Sequence, residues 1–245
     1  MDDIKKSFDL SKERMDIVVY PKASTKGRRA CKTNKSSKAQ AKLNRRNSLD
    51  KLTRKVERDF GNGSLFVTLT YNEGNCPVDV DEAREDFRKL ARRIRYFAKK
   101  KGTVLKYIYV VSGDSSARIH IHVLINGVSA DVIREKWMKG HVNVRKMGQA
   151  GGDGITDCVR VARYLFKHRN GFRAWSTSKN LQPDFFEVEE ASQGIVNNIK
   201  SFIKYKDKEC IRRAFPGWDV LEPPYFYQGE NGFYYIYLRL YRLGP

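Results

Sequence analysis

The chain has 245 residues, 40% of them hydrophobic and 12% aromatic, and a formal net charge of +20. That length holds one large domain or one domain with appendages, and the aromatic content argues against a disordered polycation. The surplus of positive charge points to a polyanionic partner, nucleic acid in the first place, because each phosphate contact releases condensed counterions.

The chain opens MDDIKKSFDL, which lacks the apolar stretch of a secretory signal. No apolar run reaches the roughly 18 residues a membrane span needs, so no membrane partner is expected. Between Ile17 and Arg58 there are 14 Lys and Arg residues, opposed only by Asp50 and Glu57. Residues 1–35 read as a basic, mobile arm, because Pro21 to Lys35 has almost no apolar side chains. Ala39, Leu43, Leu49, Leu52 and Val56 then predict a basic helix over Ser36 to Phe60. Its Lys38, Lys42, Arg45 and Arg46 are candidate DNA contacts.

Gly61-Asn62-Gly63 breaks the chain. Leu65 to Tyr71 is β-branched and aromatic, and reads as a core strand. Asp79 or Asp81 caps a helix whose Ala83, Phe87, Leu90, Ile94 and Phe97 form one apolar stripe. Strands are expected over Val104 to Val111 and Arg118 to Ile125, with turn chemistry at Asn126-Gly127. A short helix (Val132 to Met138), a short strand (His141 to Arg145) and a glycine-rich break (Gly148 to Gly154) follow. Ile155 to His168 is helical in pattern. The tail predicts a hairpin, Tyr225 to Tyr227 with Phe233 to Leu240, turning at Glu230-Asn231-Gly232. Strand-strand neighbours mixed with helices indicate α+β: an antiparallel central sheet with flanking helices, a basic N-terminal arm and helix, and a C-terminal hairpin extension. Residues 36–183 read as a catalytic domain, and 184–245 as an extension packing on it. Asp184 to Pro224 carries no interpretable motif. Cys31, Cys76, Cys158 and Cys210 are scattered and form no CxxC pair. Neither a zinc knuckle nor a disulfide framework is suggested, and a cytoplasmic location is expected.

Two features carry chemistry. In Arg118-Ile-His-Ile-His-Val-Leu-Ile, strand alternation puts His120 and His122 on one face. Paired imidazoles on a rigid strand suit a divalent metal, although a satisfied structural pair would look the same. Mg²⁺ or Mn²⁺ would need an oxygen ligand, with Asp114 the first candidate and Glu73 a weaker one. In the helix ending at His168, Arg160, Tyr164 and Lys167 share one face, opposite Val161, Ala162, Leu165 and Phe166. Neighbouring cations, Arg163 also being close in sequence, favour phosphate contact and the phenolate of Tyr164. Trp175 is either a base-stacking platform or an ordinary core residue.

Phe66-Val-Thr-Leu-Thr-Tyr71, His120-Ile121-His122 and Tyr164 with Lys167 as YxxK occur in the order found in HUH endonucleases. The sequence resembles their rolling-circle replication initiators from phages and small plasmids, over roughly Ser36 to Tyr241. The resemblance implies an RNA-recognition-like fold, metal-dependent DNA nicking and joining, and a 5′-phosphotyrosine on Tyr164 tuned by Lys167. It implies single-stranded or locally melted origin DNA as substrate, and a host helicase or polymerase as partner. Ser112 stands where many relatives have a metal-binding glutamate. Rival readings are a transposase or relaxase of the same superfamily, a non-catalytic basic nucleic-acid-binding protein, and a metal-independent ribonuclease.

Overall fold

The computed structural model describes residues 3–11, 13–22, 38–114, 117–148, 157–168, 175–228 and 234–244. In chain order the elements are β1 (Asp3–Ser11), β2 (Arg14–Pro21), α1 (Lys38–Asp59), β3 (Leu65–Thr70), α2 (Val80–Lys100), β4 (Lys106–Asp114), β5 (Ala117–Asn126), α3 (Ala130–Trp137), β6 (Val142–Lys146), α4 (Asp157–Lys167), β7 (Ser176–Thr177), β8 (Glu187–Glu190), α5 (Gln193–Tyr205), α6 (Glu209–Ala214), β9 (Trp218–Val220), β10 (Tyr225–Gln228) and β11 (Tyr234–Arg242). The fold is α+β with antiparallel sheets. No helix among the described residues is long and apolar enough to cross a membrane.

The chain divides into two compact units, residues 49–183 and residues 1–48 with 184–245. In the unit 49–183, five antiparallel strands run in the order β6-β3-β5-β4-β7, so β5 is the middle strand. Strand alternation sends its residues to two different cores. Ile119, Ile121, Val123 and Ile125 join the buried stripe of α2 (Ala83, Phe87, Leu90, Ile94) and Trp137 of α3. Leu124, on the other face, joins Leu52, Val56 and Phe60 from the α1 end and Val161, Ala162, Leu165 and Phe166 of α4. Helices thus cover both faces, and the polar positions of β5 fall on the α4 side.

Local chemistry fixes the helix ends. Asp79 caps α2 by accepting from the Glu82 backbone N–H at 2.8 Å, filling one of the four donors a helix start leaves open. Gly140, between α3 and β6, is there for lack of a side chain. A Cβ would lie 2.2 Å from the Thr70 carbonyl oxygen and 2.7 Å from the Tyr71 Cα. Asp157 opens α4, where a carboxylate suits the helix dipole. It binds Arg145 of β6 in a two-pronged ion pair at 2.8 and 3.2 Å and accepts from the Gly148 N–H at 3.0 Å.

The second unit holds a sheet ordered β10-β11-β2-β1-β8, with β9 pairing β11. The arm read for residues 1–35 is corrected here, since residues 3–21 form β1 and β2, and β2 pairs with β11 of the tail. Ile17 and Val19 alternate into a core with Ile236, Leu238 and Leu240, closed by Val196, Ile199 and Phe202 of α5. Four apolar residues in a row, Ile17 to Tyr20, outweigh the lysines around them. Residues 23–37, the rest of that arm, lie outside the described residues. Residues 184–245 therefore group with the N-terminal strands rather than standing as an extension of 36–183.

Candidate active site

His120 and His122 both project from the α4 side of β5, and their Nε2 atoms lie 3.1 Å apart. His120 Nδ1 is 3.0 Å from the Arg118 carbonyl oxygen, which can only accept, so Nδ1 carries the hydrogen and Nε2 keeps its lone pair. His122 Nδ1 lies 3.1 Å from the Thr68 hydroxyl on the paired strand β3. His122 is 3% exposed. Burial, with His120 and His168 close by, pulls it down to about 3, so it is neutral at physiological pH. Both rings are held from behind with their Nε2 atoms converging. Two metal–nitrogen bonds of about 2.1 Å meeting near a right angle span about 3 Å, so the donor pair fits a divalent ion.

Among the described residues no group of three His, Cys, Asp or Glu side chains is clustered for a metal. Asp114 ends β4 beyond a register irregularity at 112–114, and its side chain lies outside the described residues. Glu73 is exposed in a one-turn helix, Glu73–Asn75, and does not line the cleft. Ser112 pairs with His120 across β4 and β5, is 4% exposed, and donates its hydroxyl to the His168 carbonyl. It therefore ties the end of α4 to the sheet, occupying a carbonyl that the helix leaves open.

Tyr164 is 41% exposed, and its hydroxyl lies 3.4 Å from His122 Nε2. Three rings hold the phenol. His168 stacks on it with centroids 4.2 Å apart and planes at 29°. Phe66 meets it edge-on at 5.5 Å, and His122 at 4.9 Å. Val161, Leu165 and Phe166 bury the opposite side of α4, as the helical spacing predicts. Arg160, Arg163 and Lys167 are exposed on α4.

An open cleft of about 1020 Å³ lies over this group, lined by β3, β5, β6 and α4. Sequence reasoning missed several of its walls. Phe66, Thr68 and Thr70 alternate on β3, and His141, Asn143 and Arg145 lie along the β6 side. The β3–β6 register sets Thr68 opposite Asn143 and Phe66 opposite Arg145. The period-two alternation would have found them once β3 was placed beside the histidines. His168 carried its own signal, four residues after Tyr164 on the same helical face. Arg160 lines the cleft and Arg163 does not. Lys38, Lys42, Arg45 and Arg46 fall in the other compact unit, where Arg46 lies over the Tyr225 ring at 4.9 Å. Trp175 packs half-buried against the α1–α4 core, which is the ordinary of its two readings.

Residues 64–170 match the model of a replication-associated protein family, the one that includes the ORF2 proteins. That stretch is less than half of the 245 residues, and it runs from β3 through α4. It contains both histidines, Tyr164 and His168. The match supports a role in replication. No curated protein and no solved structure matches the chain.

Proposed function

We propose that the chain nicks and rejoins single-stranded or locally melted DNA at a replication origin, with Tyr164 as nucleophile. The observation that carries this reading is the 3.4 Å approach of the Tyr164 hydroxyl to the imidazole pair in an open cleft. His120 and His122 would hold Mg²⁺ or Mn²⁺ through Nε2. Such an ion supplies Lewis-acid polarisation of a phosphoryl oxygen.

The chain's own groups do the rest. A strand entering the cleft sets its scissile phosphate between the imidazoles and the phenol. Phe66, His122 and His168 keep the Tyr164 ring from swinging, so little orientational freedom is lost on reaction. The Tyr164 oxygen gives up its proton and attacks phosphorus, the phosphorus–O3′ bond breaks, and the 3′ oxygen leaves as a hydroxyl. The products are a 5′-phosphotyrosine and a free 3′-OH able to prime synthesis. Attack by a 3′-OH on the phosphotyrosine reverses the step and rejoins the strand. Arg160 and Lys167, exposed on the same helix face, attract the phosphate and favour the phenolate.

The test is an oligonucleotide nicking assay on denaturing gels with Mn²⁺. The wild type should give a covalent protein–DNA band, and Tyr164→Phe should lose it, with cleavage falling about a thousandfold or more while binding persists. Cleavage undiminished in Tyr164→Phe would remove the nucleophile. Cleavage undiminished in His120→Ala/His122→Ala would remove the metal site.

A further inference from the structure

We propose that the outer face of α2 is a second nucleic-acid surface, one that grips the phosphates of duplex DNA. It lies on the side of the 49–183 sheet turned away from the cleft. The proposal rests on the reading that the chain acts on DNA, and adds where the double-stranded flank of the site would be held.

From Arg88 to Lys101 there are eight Lys and Arg residues and no acid, and the next carboxylate along the chain is Asp114. The inner stripe of α2 is fully used by the core that also holds Ile119, Ile121 and Val123, the face of β5 opposite the histidines. Everything cationic on α2 beyond Arg84 therefore points outward, and Arg88, Lys89, Arg92, Arg93, Arg95 and Lys99 all reach solvent.

Folding does not account for this pattern. The helix dipole favours cations only in the last turn, which covers Lys99 to Lys101 and not Arg88 to Arg95. Arg88/Arg92, Lys89/Arg93 and Arg95/Lys99 are like charges at i, i+4, an arrangement that destabilises a helix. Glu85 offsets part of it, pairing with Arg88 and Arg92 at 3.2 Å each. A surface that lowers stability in this way is explained by a polyanion that neutralises it.

The geometry selects the class of polyanion. Arg88 to Lys99 extends about 16 Å along the helix, the rise of roughly five base pairs. A lipid surface would call for apolar side chains between the cations to enter the headgroup boundary. Here Tyr96, 66% exposed, is the one large apolar side chain on that face among the described residues, and its hydroxyl suits a phosphate oxygen.

The experiment compares the full chain with a triple variant, Lys89→Gln/Arg92→Gln/Lys99→Gln. None of these side chains enters the core, and a thermal melt checks that the fold is kept. Anisotropy is measured on a labelled 24-base-pair duplex of arbitrary sequence between 50 and 300 mM salt. A short single-stranded oligonucleotide is assayed separately for nicking. The variant should bind the duplex at least tenfold more weakly at low salt. Its slope of log affinity against log salt should be shallower by about 2 to 3, near 0.9 per lost phosphate contact. Oligonucleotide nicking should stay within about twofold of wild type. An unchanged slope and affinity would overturn the surface, as would tighter binding to anionic vesicles than to the duplex at matched salt. Failure of the wild type to nick, with the duplex result as expected, would overturn the nicking reading and leave this surface standing.

Discussion

Tyr164 is held by contacts that differ in kind, and each can be removed alone. His168 offers a stacked face at 4.2 Å, a contact made by shape rather than charge. His168→Ala should therefore lower the yield of covalent adduct about 10- to 100-fold, the cost of about 1 Å of misplacement, with DNA affinity nearly unchanged. His168→Phe should recover most of that loss, which single-turnover gels on the two variants would show. His122 makes a pH prediction. Its ring is held neutral, down to about 3, whereas in the unfolded chain it takes up a proton near 6.5. The unfolded state thus binds more protons between those values. The contribution is fully present above about 6.5 and is lost as pH falls toward 3, at up to about 1.4 kcal/mol per pH unit. Urea melts of metal-free protein between pH 7 and 4 should show a shallower pH dependence for His122→Gln than for wild type. The histidine pair was legible in the sequence because strand alternation is a strict rule. His168 was not singled out, because a histidine ending a helix looks like any charged C-terminal residue until its stacking partner is known. Ser112 was legible only as a departure from the expected glutamate. That it secures the His168 carbonyl depends on the distance between β4 and α4, which no local pattern encodes.

Two junctions position these residues at the level of elements. Gly140 lets the chain pass against the end of β3, where a methyl group would meet backbone atoms that cannot yield. Gly140→Ala should lower stability by more than about 2 kcal/mol in denaturant melts, because overpacking against backbone is relieved only by moving β6 or β3. Asp157 ties the start of α4 to β6. Burial works against its charge, but Arg145 and the Gly148 N–H hold its carboxyl below the ordinary range. Asp157→Asn should cost about 1–2 kcal/mol and loosen α4, so its adduct yield should fall along with its stability. Elements β3, α2, β4, β5, α3, β6 and α4 were all legible, with ends displaced by a few residues, because each carries a clear period, cap or break. The strands β1 and β2 were hidden by the lysines that share them. Their reason to be strands is pairing with β8 and β11, more than 150 residues away in the chain. The helices α5 and α6 lay in a stretch without motifs, and α5 was overlooked although Val196, Ile199 and Phe202 repeat at helical spacing.

The whole molecule carries +20, and both of its compact units share in the excess of Lys and Arg. Binding to single-stranded DNA should weaken about a thousandfold between 50 and 200 mM salt if about six phosphates are contacted. The cleft chemistry should keep its dependence on Tyr164 throughout. The family match ends at residue 170, so the residues that complete the chain, and the sheet they build with β1 and β2, are this protein's own context for a shared core. The most direct test of the central claim is mass spectrometry of the protein after reaction with an origin oligonucleotide and Mn²⁺, followed by nuclease and trypsin digestion. The account predicts a nucleotide joined through a 5′ phosphodiester to the peptide containing Tyr164, and to none of the other tyrosines among the chain's 13. Nicking that proceeds with the nucleotide on another residue, or with no adduct at any stage, would contradict it.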